Sequence, residues 1–231
     1  MTIQFKDHSA GRSAGNPADQ HFRDARDCPQ SQYPNWVTCP WPDDFRTILD
    51  YQWNEVLIPY WTRTAAFAKQ HGVEKIALEL HPGFCVYNTE SLLRLRAAVG
   101  DCIGANLDPS HLFWQGMDPV AVIKALGPAI FHFHAKDTKI DRYNTAVNGV
   151  LDTRHYGEEV ERSWIFRTVG YGNGAPVWRD IISTLRMVGY DHAVSIEHED
   201  SLMSPREGLE KAVSFLKDLL ITEKTSEMWW A

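Results

Sequence analysis

The chain of 231 residues has no apolar run long enough to cross a bilayer, and no signal-type apolar stretch follows Met1. No membrane partner and a cytoplasmic location are therefore expected. Basic residues are in deficit, with 23 Lys and Arg against 30 Asp and Glu and a net charge of −7. A surface of that sign does not bind phosphate backbones broadly, so no nucleic-acid partner is expected. Cysteine is scarce. Cys28, Cys39, Cys85 and Cys102 form no CxxC pair and no metal-type spacing, which reads as small core thiols rather than disulfides or a zinc cluster.

What is present is a recurrence of polar residues at the ends of short apolar runs. The runs are IALELHP (76–82), IGANLDPSH (103–111), IFHFHAKD (130–137) and VSIEHED (194–200). One residue from each gives Glu79, Asp108, His134 and Glu197, at separations of 29, 26 and 63 positions. WIFRTVG (164–170), with Arg167, falls in the middle of the last, doubled gap. The repeat is about one βα unit, and a barrel of parallel strands carries its active site at the strands' C-terminal ends.

Residues 1–40 are rich in Asp, Gly, Pro and Gln without a sustained period. They read as an irregular segment, with a short helix near His21–Arg26, ahead of a single domain over 41–231. An amphipathic helix is expected from about Asp43 to His71, kinked at Pro59. Helices are then expected at Thr89–Val99, Pro119–Leu126, Pro176–Val188 and Pro205–Leu220, with Gly100, Gly127 and Gly189 placed as C-caps. Strands alternating with such helices imply βαβ units and a parallel sheet. Thr138–Ser163 is long and polar, and reads as a lid over the site or as a surface excursion.

Side-chain alternation sorts the strands into two faces. Ile76, Leu78, Leu80, Ile103, Ala105, Leu107, Phe131, Phe133, Val194 and Ile196 face helices. Glu79, His81, Asn106, Asp108, His132, His134, Lys136, Ser195, Glu197 and Glu199 face the other way, into a barrel lumen. Two Glu, one Asp and one His converging there make a hard site for a divalent cation: Mn²⁺, Mg²⁺ or Co²⁺, with Zn²⁺ also admissible. Without a cation the three carboxylates would repel. Such a cation polarises the carbonyl of a hydroxy-ketone, and Glu79 and Glu197 are placed as base and acid for the α-proton. His111 reads either as a substrate or metal contact or as a surface residue. His81, Lys136, Asp137 and Arg167 are further candidate substrate contacts, with ordinary ion pairing as the alternative for the charged three. His132 reads as a deeper, satisfied group. GYGNG (170–174) reads as a tight turn before a phosphate cradle, and Trp229 and Trp230 as a packing anchor or subunit contact.

The segments ELHPGF, NLDPSHLFWQG, FHFHAKD, RTVGYG and SIEHED, in this order, resemble the sugar phosphate isomerase/epimerase family of xylose-isomerase-like TIM barrels. The resemblance covers about residues 34–230. It implies metal ligation by Glu79, Asp108, His134 and Glu197 from the fourth, fifth, sixth and eighth strands, acid/base roles for the two glutamates, and a substrate contact at His111. The front of the chain departs from the family, which has three βα units before the strand matching IALEL. The expected fold is α/β, an incomplete TIM-type barrel of about five parallel strands corresponding to strands 4–8. Its open edges imply a homo-oligomer. The expected activity is a divalent-metal-dependent isomerase or epimerase acting on a keto-sugar or cyclitol by α-proton transfer through an enediolate. The alternatives are a lyase acting on a 3-keto-glycoside or an inactive shortened barrel.

Overall fold

The computed structural model describes residues 2–7, 28–224 and 226–230; the helix expected near His21–Arg26 lies outside them. Its centre is a parallel sheet of five strands. These are β1 (Thr2–Asp7), β2 (Ile76–Glu79), β3 (Ile103–Leu107), β4 (Ile130–Ala135) and β7 (Ala193–His198), in the order β1-β7-β4-β3-β2. A separate antiparallel pair joins β5 (Asp137–Ile140) to β6 (Trp164–Arg167).

The number of parallel strands is the expected five, but their membership differs. Thr2–Asp7, expected to be irregular, is a strand paired with β7 from Thr2↔Ala193 to Asp7↔His198. In a closed eight-strand barrel the last strand neighbours the first. The pairing of β1 with β7 has the same sense, the first strand of the chain lying beside the last. The four strands leading to the ligands are consecutive neighbours. The WIFR run, read as a barrel strand between them, lies off the sheet. Its Trp164 and Phe166 pack with Trp114 in a satellite cluster instead of the main core, and the Trp114 and Trp164 rings stack at 4.6 Å.

The helices expected after residue 40 keep their boundaries closely, and two short ones, Pro109–Phe113 and Arg142–Asn148, were not expected. The first, α1 (Asp44–Asp50), passes through a π-helical stretch (Tyr51–Leu57) into α2 (Ile58–Gln70), where Pro59 occupies the first turn and needs no N–H partner. Next come α3 (Thr89–Val99), capped by Asn88, α4 (Pro109–Phe113), and α5 (Pro119–Leu126), capped by Asp118. The last three are α6 (Arg142–Asn148), α7 (Ala175–Met187) and α8 (Pro205–Lys217), capped by Ser204. Gly100, Gly127 and Gly189 all have positive φ at or just beyond helix ends, as their positions imply.

Leu78, Leu80, Ile103, Leu107, Phe133, Val194 and Ile196 are buried against Leu92, Leu95, Ile123, Trp178, Ile181 and Leu216 of the surrounding helices. That apolar side fixes the register, because a one-residue slip would send every lumen-facing polar group into the helix layer. No helix among the described residues is long and apolar enough to cross a membrane.

Candidate metal centre

Glu79 ends β2, Asp108 follows β3 as the N-cap of α4, and His134 and Glu197 sit near the ends of β4 and β7. Each contributes one ligand atom, and the four atoms lie within 4.8 Å of one another. His134 Nδ1 is the hub, 2.8 Å from Glu197 Oε2, 3.5 Å from Glu79 Oε1 and 3.9 Å from Asp108 Oδ2.

The donor set fits a divalent cation. Asp108 Oδ2 is buried with no hydrogen-bond partner, although His134 and Lys136 lie within ion-pair range, and the buried His134 Nδ1 faces only carboxylate oxygens. Buried polar atoms in that condition are costly unless something else binds them. Ligand atoms about 2.1 Å from a shared ion lie at most about 4.2 Å apart, so the widest separation calls for a contraction of roughly 0.6 Å. Two carboxylates at that spacing repel by about 3 to 4 kcal/mol at an effective dielectric of about 20, which a dication reverses.

The protonation behaviour reflects the crowding. Burial, reinforced by Glu79 and Glu197, outweighs Lys136 and His134 and pushes the Asp108 carboxyl up to about 6. Burial works the other way on His134, but hydrogen bonding to Glu197 and Glu79 and the charge of Asp108 prevail, and it is raised to about 9. Burial would also raise Glu79, yet His134 and Lys136 hold it below the usual carboxylate range. His111, desolvated and facing Lys136 and His81, is held well below the ordinary imidazole value and so is neutral.

Of the other residues singled out in the sequence, three line the same cavity of about 760 Å³ as Glu79 and Glu197: His81, His111 and Lys136. His111 Nε2 is 3.6 Å from Asp108 Oδ2 and 3.8 Å from Glu79 Oε1, and neither ring nitrogen has a hydrogen-bond partner. The His81 ring packs on it at 4.1 Å. Lys136 is buried, with Nζ 3.2 Å from Asp108, 3.4 Å from Glu197 and 2.9 Å from Glu199. His132, read as a satisfied group, meets Ser195 Oγ at 2.8 Å.

Two candidates point elsewhere. The Asp137 carboxylate is buried and accepts hydrogen bonds from the backbone N–H of Gly170, Gly172 and Asn173 and from Trp178 Nε1. It fills the GYGNG turn with the chain's own anion. Arg167 donates from Nε to Asp200 Oδ2 at 3.0 Å and is not among the cavity's residues. For both, the ordinary ion-pairing or structural role accounts for every contact.

The cavity's other large walls are apolar or aromatic and were not singled out from sequence: Phe84, Tyr156, Ile165 and Phe166. Tyr156 belongs to the 138–163 excursion, which is therefore in part a wall of the site.

Residues 30–219 match the profile of the xylose isomerase-like TIM barrel. The chain belongs to that family. Among curated proteins it is 45% identical over 194 residues to the uncharacterized protein YfiH of Bacillus subtilis (strain 168). That match takes in 83% of this chain and 62% of YfiH, so the chain spans less than two thirds of that relative's length. Solved structures resemble it too. The probable 3-DHS dehydratase AsbF from Bacillus anthracis superposes with a TM-score of 0.55 at 16% identity, covering 94% of this chain and 76% of AsbF. IOLI protein, solved with a binding zinc atom, gives 0.52 at 22% identity, covering 81% and 60%. A D-tagatose 3-epimerase-like protein gives 0.52 at 22% identity, covering 80% and 61%. At these identities the likeness is one of fold.

Proposed function

We propose that the chain is a divalent-metal-dependent isomerase or epimerase of a keto-sugar or cyclitol, working by α-proton transfer through an enediolate. Mn²⁺ is the cation best matched to three carboxylates and one imidazole, and Mg²⁺, Co²⁺ and Zn²⁺ also suit them. The observation that carries the reading is the gathering of Glu79, Asp108, His134 and Glu197 within 4.8 Å beside a cavity of monosaccharide size. The sugar epimerase and zinc-bound folds among the structural neighbours are consistent with it.

A cation held by these four residues supplies Lewis acidity at the substrate carbonyl and so makes the adjacent C–H removable. Glu79 and Glu197 stand on strands at different places around the lumen, each with a second carboxylate oxygen for proton work. One takes the α-proton and the other returns it at the opposite face. The neutral His111 offers two unpartnered nitrogens to substrate hydroxyls. Lys136, held charged by Asp108, Glu197 and Glu199, stabilises negative charge developing on the substrate oxygen. His81 bonds the Pro82 carbonyl through Nδ1, which leaves Nε2 for the cavity.

The test is deuterium incorporation from D₂O into candidate ketoses and inososes by metal-loaded protein. Metal-dependent exchange at the carbon next to the carbonyl is expected, lost about 10²-fold or more in Glu79→Gln and Glu197→Gln. Release of an aglycone from a 3-keto-glycoside would point instead to the lyase. Absence of both reactions with any metal would refute the assignment.

A further inference from the structure

We propose that Asn106 is a positioning residue for the metal centre. Its side-chain carbonyl accepts a hydrogen bond from His134 Nε2–H and so fixes the imidazole tautomer whose Nδ1 lone pair faces Glu79, Asp108 and Glu197. The inference rests on the metal reading above and extends it by one residue.

The geometry begins with the strands. Asn106 lies on β3 in register with Glu79 of β2 and His132 of β4, so its side chain shares the lumen with the ligand layer. Its amide is 3.2 Å from His134 Nε2, with Nδ2 as the nearer atom. The other amide atom, Oδ1, is buried and has no hydrogen-bond partner.

A neutral imidazole has one ring proton. His134 Nδ1 is the atom that faces the three carboxylates. If it donates its lone pair to a cation, the proton must sit on Nε2. An N–H there needs an acceptor, and an amide NH₂ is a donor only. The two ends of a carboxamide are alike in shape, and their placement follows from the hydrogen-bond network around them. A half-turn about the last side-chain bond puts Oδ1 against Nε2–H. That turn breaks no other hydrogen bond of the Asn106 side chain among the described residues, because Oδ1 has none and Nδ2 has only the one to His134. An outer partner of this kind orients a ligating imidazole and raises its basicity. The neighbouring imidazole on the same strand, His132, meets Ser195 Oγ through Nε2.

The experiment compares the full chain with Asn106→Leu and Asn106→Asp. Each metal-free protein is titrated with Mn²⁺ alone by calorimetry, and the ring nitrogens of His134 are followed by ¹⁵N NMR. Asn106→Leu, which removes the acceptor, should weaken Mn²⁺ binding by about 10- to 100-fold. Asn106→Asp, which keeps an acceptor, should bind at least as tightly as the parent. With diamagnetic Zn²⁺ bound in place of Mn²⁺, the ¹⁵N spectrum of the parent should show a proton on Nε2, and in Asn106→Leu that proton should exchange faster with solvent.

An Asn106→Leu chain binding within twofold of the parent would overturn the inference while leaving the metal reading intact. So would an Asn106→Asp chain as impaired as Asn106→Leu, since the amide's donor would then be the group that matters. A parent chain that binds no Mn²⁺ would overturn both.

Discussion

Replacing Asp137 with alanine tests whether this residue is a structural pin or a substrate contact. Its carboxylate accepts six hydrogen bonds: from the N–H of Thr138 at 2.9 Å, Gly170 at 3.0 Å, Gly172 at 3.2 Å and Asn173 at 2.9 Å, from Asn173 Nδ2 at 2.7 Å, and from Trp178 Nε1 at 3.1 Å. The turn is shaped for this approach. A Cβ on Gly172 would fall 2.4 Å from the Thr138 carbonyl oxygen and 2.6 Å from Asp137 Oδ1, and Gly170 has φ near +91. Summing about 1.5–3 kcal/mol for each charged bond would give a total on the scale of a whole domain's stability. Bonds to one group are not additive, and removal of one member of a buried charged network costs about 3–5 kcal/mol. At about 2–4 °C per kcal/mol for a chain of this size, Asp137→Ala should melt about 6–20 °C lower. The assay is a thermal melt of the metal-free protein followed by tryptophan fluorescence, with a Mn²⁺ titration alongside at low temperature. A melt unchanged within about 2 °C together with a large rise in KM would refute the reasoning and restore Asp137 as a substrate ligand.

Metal affinity should depend on pH with a definite sign. His134 is raised to about 9 and Asp108 to about 6, so both hold protons that a cation must displace. Affinity for Mn²⁺ should therefore rise about tenfold per pH unit between about 6 and 9 and fall more steeply below 6; a flat profile measured by calorimetry over that range would contradict the ligand set. For the metal-free fold the sign reverses: the contribution of His134 is complete below its ordinary 6.5 and lost as pH rises toward 9. Gly104→Ala should destabilise by about 1–3 kcal/mol or more, because its Cβ would come 2.4 Å from the Phe131 ring and 2.5 Å from the Ala129 carbonyl oxygen. Urea unfolding measures that loss, and a neutral substitution would show that β3 and β4 are not packed as described.

Much of this was readable from residue order, for reasons that differ between elements. The longer helices from Thr89 onward announce themselves by chemistry that acts locally: Asp118 before Pro119, Ser204 before Pro205, and glycines where positive φ is needed. The ligand set was legible because period-two alternation is strict. Once Leu78, Ile103, Phe133 and Ile196 face the helices, Glu79, His134 and Glu197 must face the lumen. Asp108, one residue past β3, belongs to the same set through its helix cap.

Strand membership was not legible. TIQFKD is short and lies far in sequence from its partner β7, and such pairing leaves no local signature. WIFR has stronger strand composition, yet it pairs with Asp137–Ile140, which begins two positions after β4 ends. Asp137 and Arg167 were legible as polar groups near a site but not in direction, since which way a strand-end side chain turns depends on the partner it finds. The aromatic walls were invisible for the same reason: Phe84 and Tyr156 stand in irregular segments with no period to read.

Glu79, Asp108, His134 and Glu197 are proposed to hold one ion together. Calorimetric titration of the metal-free chain with Mn²⁺ tests it most directly, run beside Glu79→Gln, Asp108→Asn, His134→Leu and Glu197→Gln. One ion per chain is expected, with affinity falling in each of the four variants. Binding that survives unchanged in any of them, or a parent chain that takes up no ion at all, would contradict it.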